Sequence, residues 1–292
     1  MKLYAISDLH VGFEINRKAL ASISDHPRDW LVLGGDLGET TADVEFVIRT
    51  LAPKFAKLLW VPGNHELWTV SGSPDSLRGE AKYARLVDLC RSFGVATPED
   101  PYLEWPGDGS RHVIAPLFLL YDYTFGPDGM TPEGAVAWAA EGGVRCADEE
   151  LLYPDPFPTK QAWCEDRCRQ TFSRLAQLPD DVRTVLVNHF PLRRDHAVLP
   201  AVPRMVPWCG TTRTHDWHRR FRATVVINGH LHIRTTRWLD GVRFEEVSLG
   251  YPRQWSHQRR LDDYLREILP GPADAARAGN PMALRLAPGV GG

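Results

Sequence analysis

The sequence predicts an α/β protein with a mostly parallel central sheet and helices packed outside it. Three observations carry that expectation. Short apolar or β-branched runs at residues 3–6, 30–33, 58–61, 184–187 and 224–227 read as strands buried on both faces. Between them, apolar residues recur three and four apart, the period of a helix with one inward face. Between residues 234 and 249, two strand-like segments flank Asp240-Gly241, a hairpin signal that adds antiparallel strands. Alternating β and α units with such a hairpin make a mixed sheet or a two-sheet sandwich.

The elements follow in order. Thr40 or Thr41 caps a helix whose inward face is Val44, Val47, Ile48 and Leu51, and Pro53 ends it. A second helix is expected over 76–93, with Tyr83, Leu86, Val87 and Cys90 inward. A strand at 112–115 meets Pro116 at its end, where proline is tolerated. A third helix is expected over 159–178, with Trp163, Phe172 and Leu175 in the core. Residues 121–160 and 191–216 are rich in Gly or Pro and follow strand ends. They are expected to fold over the active-site face as a wall or lid. One domain spans 1–268, and the Pro/Gly/Ala-rich tail at 269–292 is expected to be disordered or loosely draped.

Composition narrows the function. The 292 residues hold 34 Lys and Arg against 37 Asp and Glu, a formal charge of −3 that gives no general attraction to nucleic acid or membrane. Five cysteines without a paired spacing read as reduced thiols, not as a disulfide framework. The N-terminus runs straight into a strand, no apolar run spans a bilayer, and a cytoplasmic protein is expected.

Each core strand is followed directly by metal-type ligands: Asp8-Leu9-His10, Gly35-Asp36, Gly63-Asn64-His65-Glu66, Asn188-His189 and Gly229-His230-Leu231-His232. Loops at one edge of a layered sheet converge, so these residues can meet around one site. They supply aspartates, histidines and an asparagine, donors that suit two divalent or trivalent ions.

In this order the clusters resemble the calcineurin-like metallophosphoesterases, and the match spans residues 8 to 232. The resemblance implies a four-layer α/β/β/α sandwich with its active site at the strand C-terminal ends. It implies two metal ions, of manganese, iron or zinc, bridged by Asp36. Asp8, His10 and His232 complete one site, and Asn64, His189 and His230 the other. His65 protonates the leaving oxygen or stabilises phosphoryl charge, and Glu66 orients it. The resemblance also implies hydrolysis by a metal-bound hydroxide, for which the two ions would lie about 3.5–4 Å apart. Glu39 departs from the pattern, since many relatives carry the acidic residue one position earlier. It is either a supporting carboxylate or only a helix-start charge.

A narrower resemblance lies in Trp60 to Trp68, Phe118 to Tyr123, Trp208 to Thr212 and Gly241 to Arg253. These segments look like the actinobacterial phosphopantetheinyl hydrolase branch of the family, which removes 4'-phosphopantetheine from holo-acyl carrier protein. Carrier proteins present acidic helices, so a basic docking patch is expected, with Arg219, Arg220 and Arg253 as candidates. The pantetheine arm needs an apolar groove, with Tyr121, Tyr123, Trp208 and Tyr251 as candidate walls. Two alternatives remain: a nucleotide or other small-molecule phosphoesterase with the same metal centre, and a metal-free binding scaffold.

Overall fold

The computed structural model describes residues 1–70, 76–107, 109, 111–271 and 285–286. The first sheet contains β1 (Leu3–Ile6), β2 (His26–Leu33), β3 (Phe55–Trp60) and β10 (Arg266–Leu269), in the order β10-β1-β2-β3. β1, β2 and β3 run parallel, and β10 closes the edge antiparallel to β1. The second sheet contains β4 (Leu103–Trp105), β5 (His112–Pro116), β6 (Arg183–Val187), β7 (Ala223–Asn228), β8 (Thr235–Leu239), β9 (Val242–Glu246) and β11 (Arg285–Leu286). Its order is β11-β8-β9-β7-β6-β5-β4, parallel through β5, β6, β7 and β9 and antiparallel at both edges.

Strand periodicity builds the layers. Leu3, Ala5, Val32, Leu59, Ile114, Val185, Val187, Val225 and Ile227 come from both sheets and form one cluster between them. Their neighbours Ile6, Leu31, Leu33, Leu58, Trp60, Ala115, Leu186 and Val226 point the other way, into a cluster shared with the helices. Both faces are apolar, which is why the runs are nearly continuous in sequence.

The flanking helices are α1 (Glu14–Ala21), α2 (Thr41–Leu51), α3 (Asn64–Leu67), α4 (Gly79–Ser92), α5 (Pro132–Glu141), α6 (Asp148–Leu151), α7 (Lys160–Leu175) and α8 (Trp217–Arg220). The Thr40 side chain caps α2 by accepting from Asp43 N at 3.1 Å, and all four expected inward residues of α2 are fully buried. α4 begins three residues later than its periodicity suggests. Gly79 has φ +53°, and a Cβ there would lie 2.0 Å from the Asp155 carbonyl, so a chain crossing sets the start. The hairpin turns on Asp240 (φ 53°) and Gly241 (φ 74°), with Leu239 opposite Val242.

The 121–160 segment holds more structure than its Gly and Pro content suggests. α5 is capped by Thr131 with Pro132 in its first turn, and the four-residue α6 follows. Of the tail, 272–284 and 287–292 lie outside the described residues, and β11 pairs with β8. Among the described residues no helix is long and apolar enough to cross a membrane.

Candidate metal centre

All five ligand clusters sit at the C-terminal ends of the parallel strands β1, β2, β3, β6 and β7, and a bridge between Ser7 and Ser248 joins the two sheets beside them. The backbone turns sharply there. Asp8, His10, Asp36, His230 and His232 have φ of 54°, 42°, 53°, 72° and 53°. Left-handed backbone costs an ordinary residue roughly 1–3 kcal/mol and persists where packing and function impose it. It also lets His230 and His232 leave the strand in different directions, while Leu231 buries in a small apolar cluster. Gly63 is required by close approach: a Cβ there would meet Asp36 Oδ1 at 2.1 Å.

Two donor groups result. Oxygen and nitrogen atoms of Asp8, His10, Asp36 and His232 lie within 4.8 Å of one another, as do those of Asp36, His189 and His230. Asp36 belongs to both. Hydrogen bonds to the far side of several of the ligands hold them in place. His189 Nδ1 is 2.9 Å from the Gly34 carbonyl, which leaves Nε2 buried without a partner and facing Asp36. His232 Nδ1 meets Gln254 Oε1 at 2.8 Å, and its Nε2 lies 3.2 Å from His10 Nε2. Asp8 Oδ2 accepts from the Ser7 and Ser248 hydroxyls at 2.6 and 2.7 Å. The Asn64 amide gives its N–H to Asp148 at 2.9 Å and keeps Oδ1 buried and unpartnered. Two buried, orphaned donor atoms beside a mixed N/O donor set fit the expected ions.

The charges agree. Burial opposes ionisation throughout, yet Asp36 and Asp8 raise His189 to about 10, and Asp8 raises His232 to about 9. Burial lowers His230 to about 3 and His10 to about 4. The carboxylates thus draw protons onto two imidazoles, and a bound cation would displace them.

His65 is buried beside this centre. Its ring lies over Trp68 with centroids 3.7 Å apart, its Nε2 is 3.7 Å from Asp36 Oδ2, and its Nδ1 is 3.5 Å from Glu39 Oε1. Burial works against its charge, but Asp36 and Glu39 raise its pKa above the usual value. The structure corrects one expectation here. Glu66 does not orient the His65 ring; its carboxylate accepts from the backbone N–H groups of Asp36, Leu37 and Gly63, each at 2.9 Å. Glu66 therefore ties together the two loops that carry Asp36 and Asn64, and Glu39 is the carboxylate at His65. Adjacency in sequence misled, because in a tight helical turn consecutive side chains diverge.

The expected substrate residues divide. Tyr251 packs against the rings of His10 and His232 at 4.6 and 4.8 Å, and with Phe13, Pro252 and Arg253 lines a groove of about 370 Å³. Tyr121, Tyr123 and Trp208 are instead core residues, 1–2% exposed. Tyr123 and Trp208 both donate to Glu149 Oε1 at 2.7 Å, so they build the interior of the inserted segments and not a groove wall. Arg219 and Arg220 are also misplaced by the sequence reading. They end α8, at the start of β7, whereas His230 follows the end of that strand. Six strand residues at about 3.3 Å each put them about 20 Å from the metal ligands, at the opposite edge of the sheet. There they pair with Asp240 and Asp216. Sequence reading missed Asp148, Trp68 and Gln254. Trp68 lies next to the Asn64-His65 motif, but nothing local marks Asp148.

Comparison with known proteins agrees with this geometry. The model of the calcineurin-like phosphoesterase family matches residues 1–234. The chain is 47% identical over 272 residues to the [acyl-carrier-protein] phosphodiesterase PptH of Mycobacterium tuberculosis, covering 92% of this chain and 84% of that one. The crystal structure of that phosphopantetheinyl hydrolase superposes with a TM-score of 0.88, covering 93% of this chain and 96% of the other. The chain belongs to the calcineurin-like phosphoesterase family of metal-dependent hydrolases.

Proposed function

We propose that the protein is a dinuclear phosphodiesterase that releases 4'-phosphopantetheine from holo-acyl carrier protein in the cytoplasm. The observation that carries this reading is 47% identity, over 92% of the chain, to an acyl-carrier-protein phosphodiesterase. Five free, buried cysteines suit a reducing compartment.

Asp36, common to both donor groups, would bridge two ions of manganese, iron or zinc. Asp8, His10 and His232 would hold one, and Asn64, His189 and His230 the other. When bound, the ions supply an activated water and neutralise phosphoryl charge. The protein supplies the proton for departure. The Glu39 carboxylate, 3.5 Å from His65 Nδ1, favours a proton on that ring, leaving Nε2, on the Asp36 side, to carry the proton given to the serine oxygen. Trp68 fixes the plane of that ring. The groove of Phe13, Tyr251, Pro252 and Arg253 opens beside His10 and takes the uncharged pantetheine arm.

Incubating the metal-loaded enzyme with holo-carrier protein and recording intact masses tests this. Conversion to the apo mass supports the reading. An unchanged mass, with rapid cleavage of a nucleotide or small diester, would transfer the same metal centre to a small-molecule phosphoesterase.

A further inference from the structure

The Asn64 ligand has a weakness that its histidine and aspartate companions lack. An amide can face a metal with either oxygen or nitrogen, and only the oxygen binds. Asp148 removes the ambiguity. Its Oδ1 lies 2.9 Å from Asn64 Nδ2 and 2.6 Å from the Trp68 indole nitrogen, and a carboxylate oxygen already accepting an indole N–H can only accept again. The amide nitrogen is thereby turned to Asp148, and Oδ1 is left buried and unpartnered.

Asp148 is itself firmly placed. It is 1% exposed at the start of α6, inside the 121–160 segment. Thr69 N donates to Leu151 O at 2.8 Å, and Trp68 bridges to Leu152, so α6 is strapped along the chain leaving α3. The next residue, Glu149, is held by Lys160, Tyr123 and Trp208, each at 2.7 Å. The same Trp68 that donates to Asp148 carries the His65 ring.

We infer that Asp148 is a positioning residue. It locks Asn64 in its ligating orientation and fixes Trp68 beneath His65, so that the 121–160 segment forms part of the metal centre. The inference needs Asn64 as a ligand and is independent of the substrate.

Titration of chelator-stripped protein with Mn²⁺ tests it, with wild type expected to take up two ions; fewer would fault the dinuclear reading instead. Asp148→Ala should weaken one ion about 10–100-fold and leave the other within about twofold. Wild-type affinity for both ions in that variant would overturn the inference. An isosteric swap covers the case in which the alanine variant does not fold. Asn64→Asp sets a carboxylate against Asp148 and should weaken the same ion, although aspartate is ordinarily a good ligand. Adding Asp148→Asn to that variant removes the like-charge contact and should recover part of the lost affinity. Undiminished binding in Asn64→Asp alone would refute the positioning role.

Discussion

The backbone N–H of His65 donates to Asp36 Oδ1 at 3.0 Å, while the His65 ring stands 3.7 Å from the other oxygen of that carboxylate. One residue thus both holds the expected metal bridge and sits beside it. The two have different tasks, and substitutions should separate them.

Asp36→Asn removes charge shared by both donor groups. Metal content and hydrolysis should fall together, read by elemental analysis of dialysed protein alongside turnover. Two tightly held ions in this variant would sink the bridging assignment.

His65→Ala should retain both ions yet lose about 10²–10⁴-fold in turnover, the usual contribution of a positioned proton donor. The loss should shrink for a nitrophenyl diester, whose leaving group needs no proton. An equal loss for good and poor leaving groups would leave only charge stabilisation to this side chain.

Glu66→Gln replaces an acceptor of three backbone N–H groups by one acceptor oxygen and an amide. Leaving a buried N–H unpaired costs about 1–3 kcal/mol, which denaturant unfolding should detect. Activity should fall by a similar factor for good and poor leaving groups, since the defect lies in loop geometry and not in proton transfer.

Metal uptake should depend steeply on pH. His189 and His232, raised to about 10 and about 9, hold protons in the metal-free site at neutral pH, and binding must release them. Affinity should therefore rise from pH 6 toward pH 10, less steeply above pH 9 where only His189 still holds its proton, and level off beyond that. Calorimetry in buffers of different ionisation enthalpy counts the released protons; uptake independent of pH would contradict these protonation states.

Docking should follow the groove and not α8. Arg253→Glu, beside Tyr251, should lower kcat/KM for holo-carrier protein more than for a small diester, and added salt should slow the wild type on the protein substrate. Arg219→Glu and Arg220→Glu, about 20 Å away at the other strand edge, should leave both substrates nearly unaffected. A large, selective loss in the α8 variants would show that the carrier protein reaches that edge.

Much of the site was legible because its ligands follow core strands in short motifs. Apolar runs buried on both faces announce parallel strands, and residues just beyond them share one edge of the fold. The clusters stood out on that basis, and the family resemblance picked residues 8, 10, 36, 64, 189, 230 and 232 from them as the expected ligands. Tyr121, Tyr123 and Trp208 could not be told from groove walls, since an aromatic side chain suits a core and a pocket equally well. Arg219 and Arg220 were close to a ligand cluster in sequence but separated from it by the full length of β7.

By itself, then, the sequence determined the core strands that carry the clusters, a threonine cap on α2 narrowed to Thr40 or Thr41, the hairpin at Asp240-Gly241 and the ligand types, all encoded within a few neighbouring residues. Only the tertiary structure decided that Glu66 binds backbone, that Glu39 serves His65, and that Asp148 turns Asn64. Each of these is a contact between separate loops, set by backbone direction and buried hydrogen-bond satisfaction. No local pattern specifies which of many carboxylates will meet a given donor.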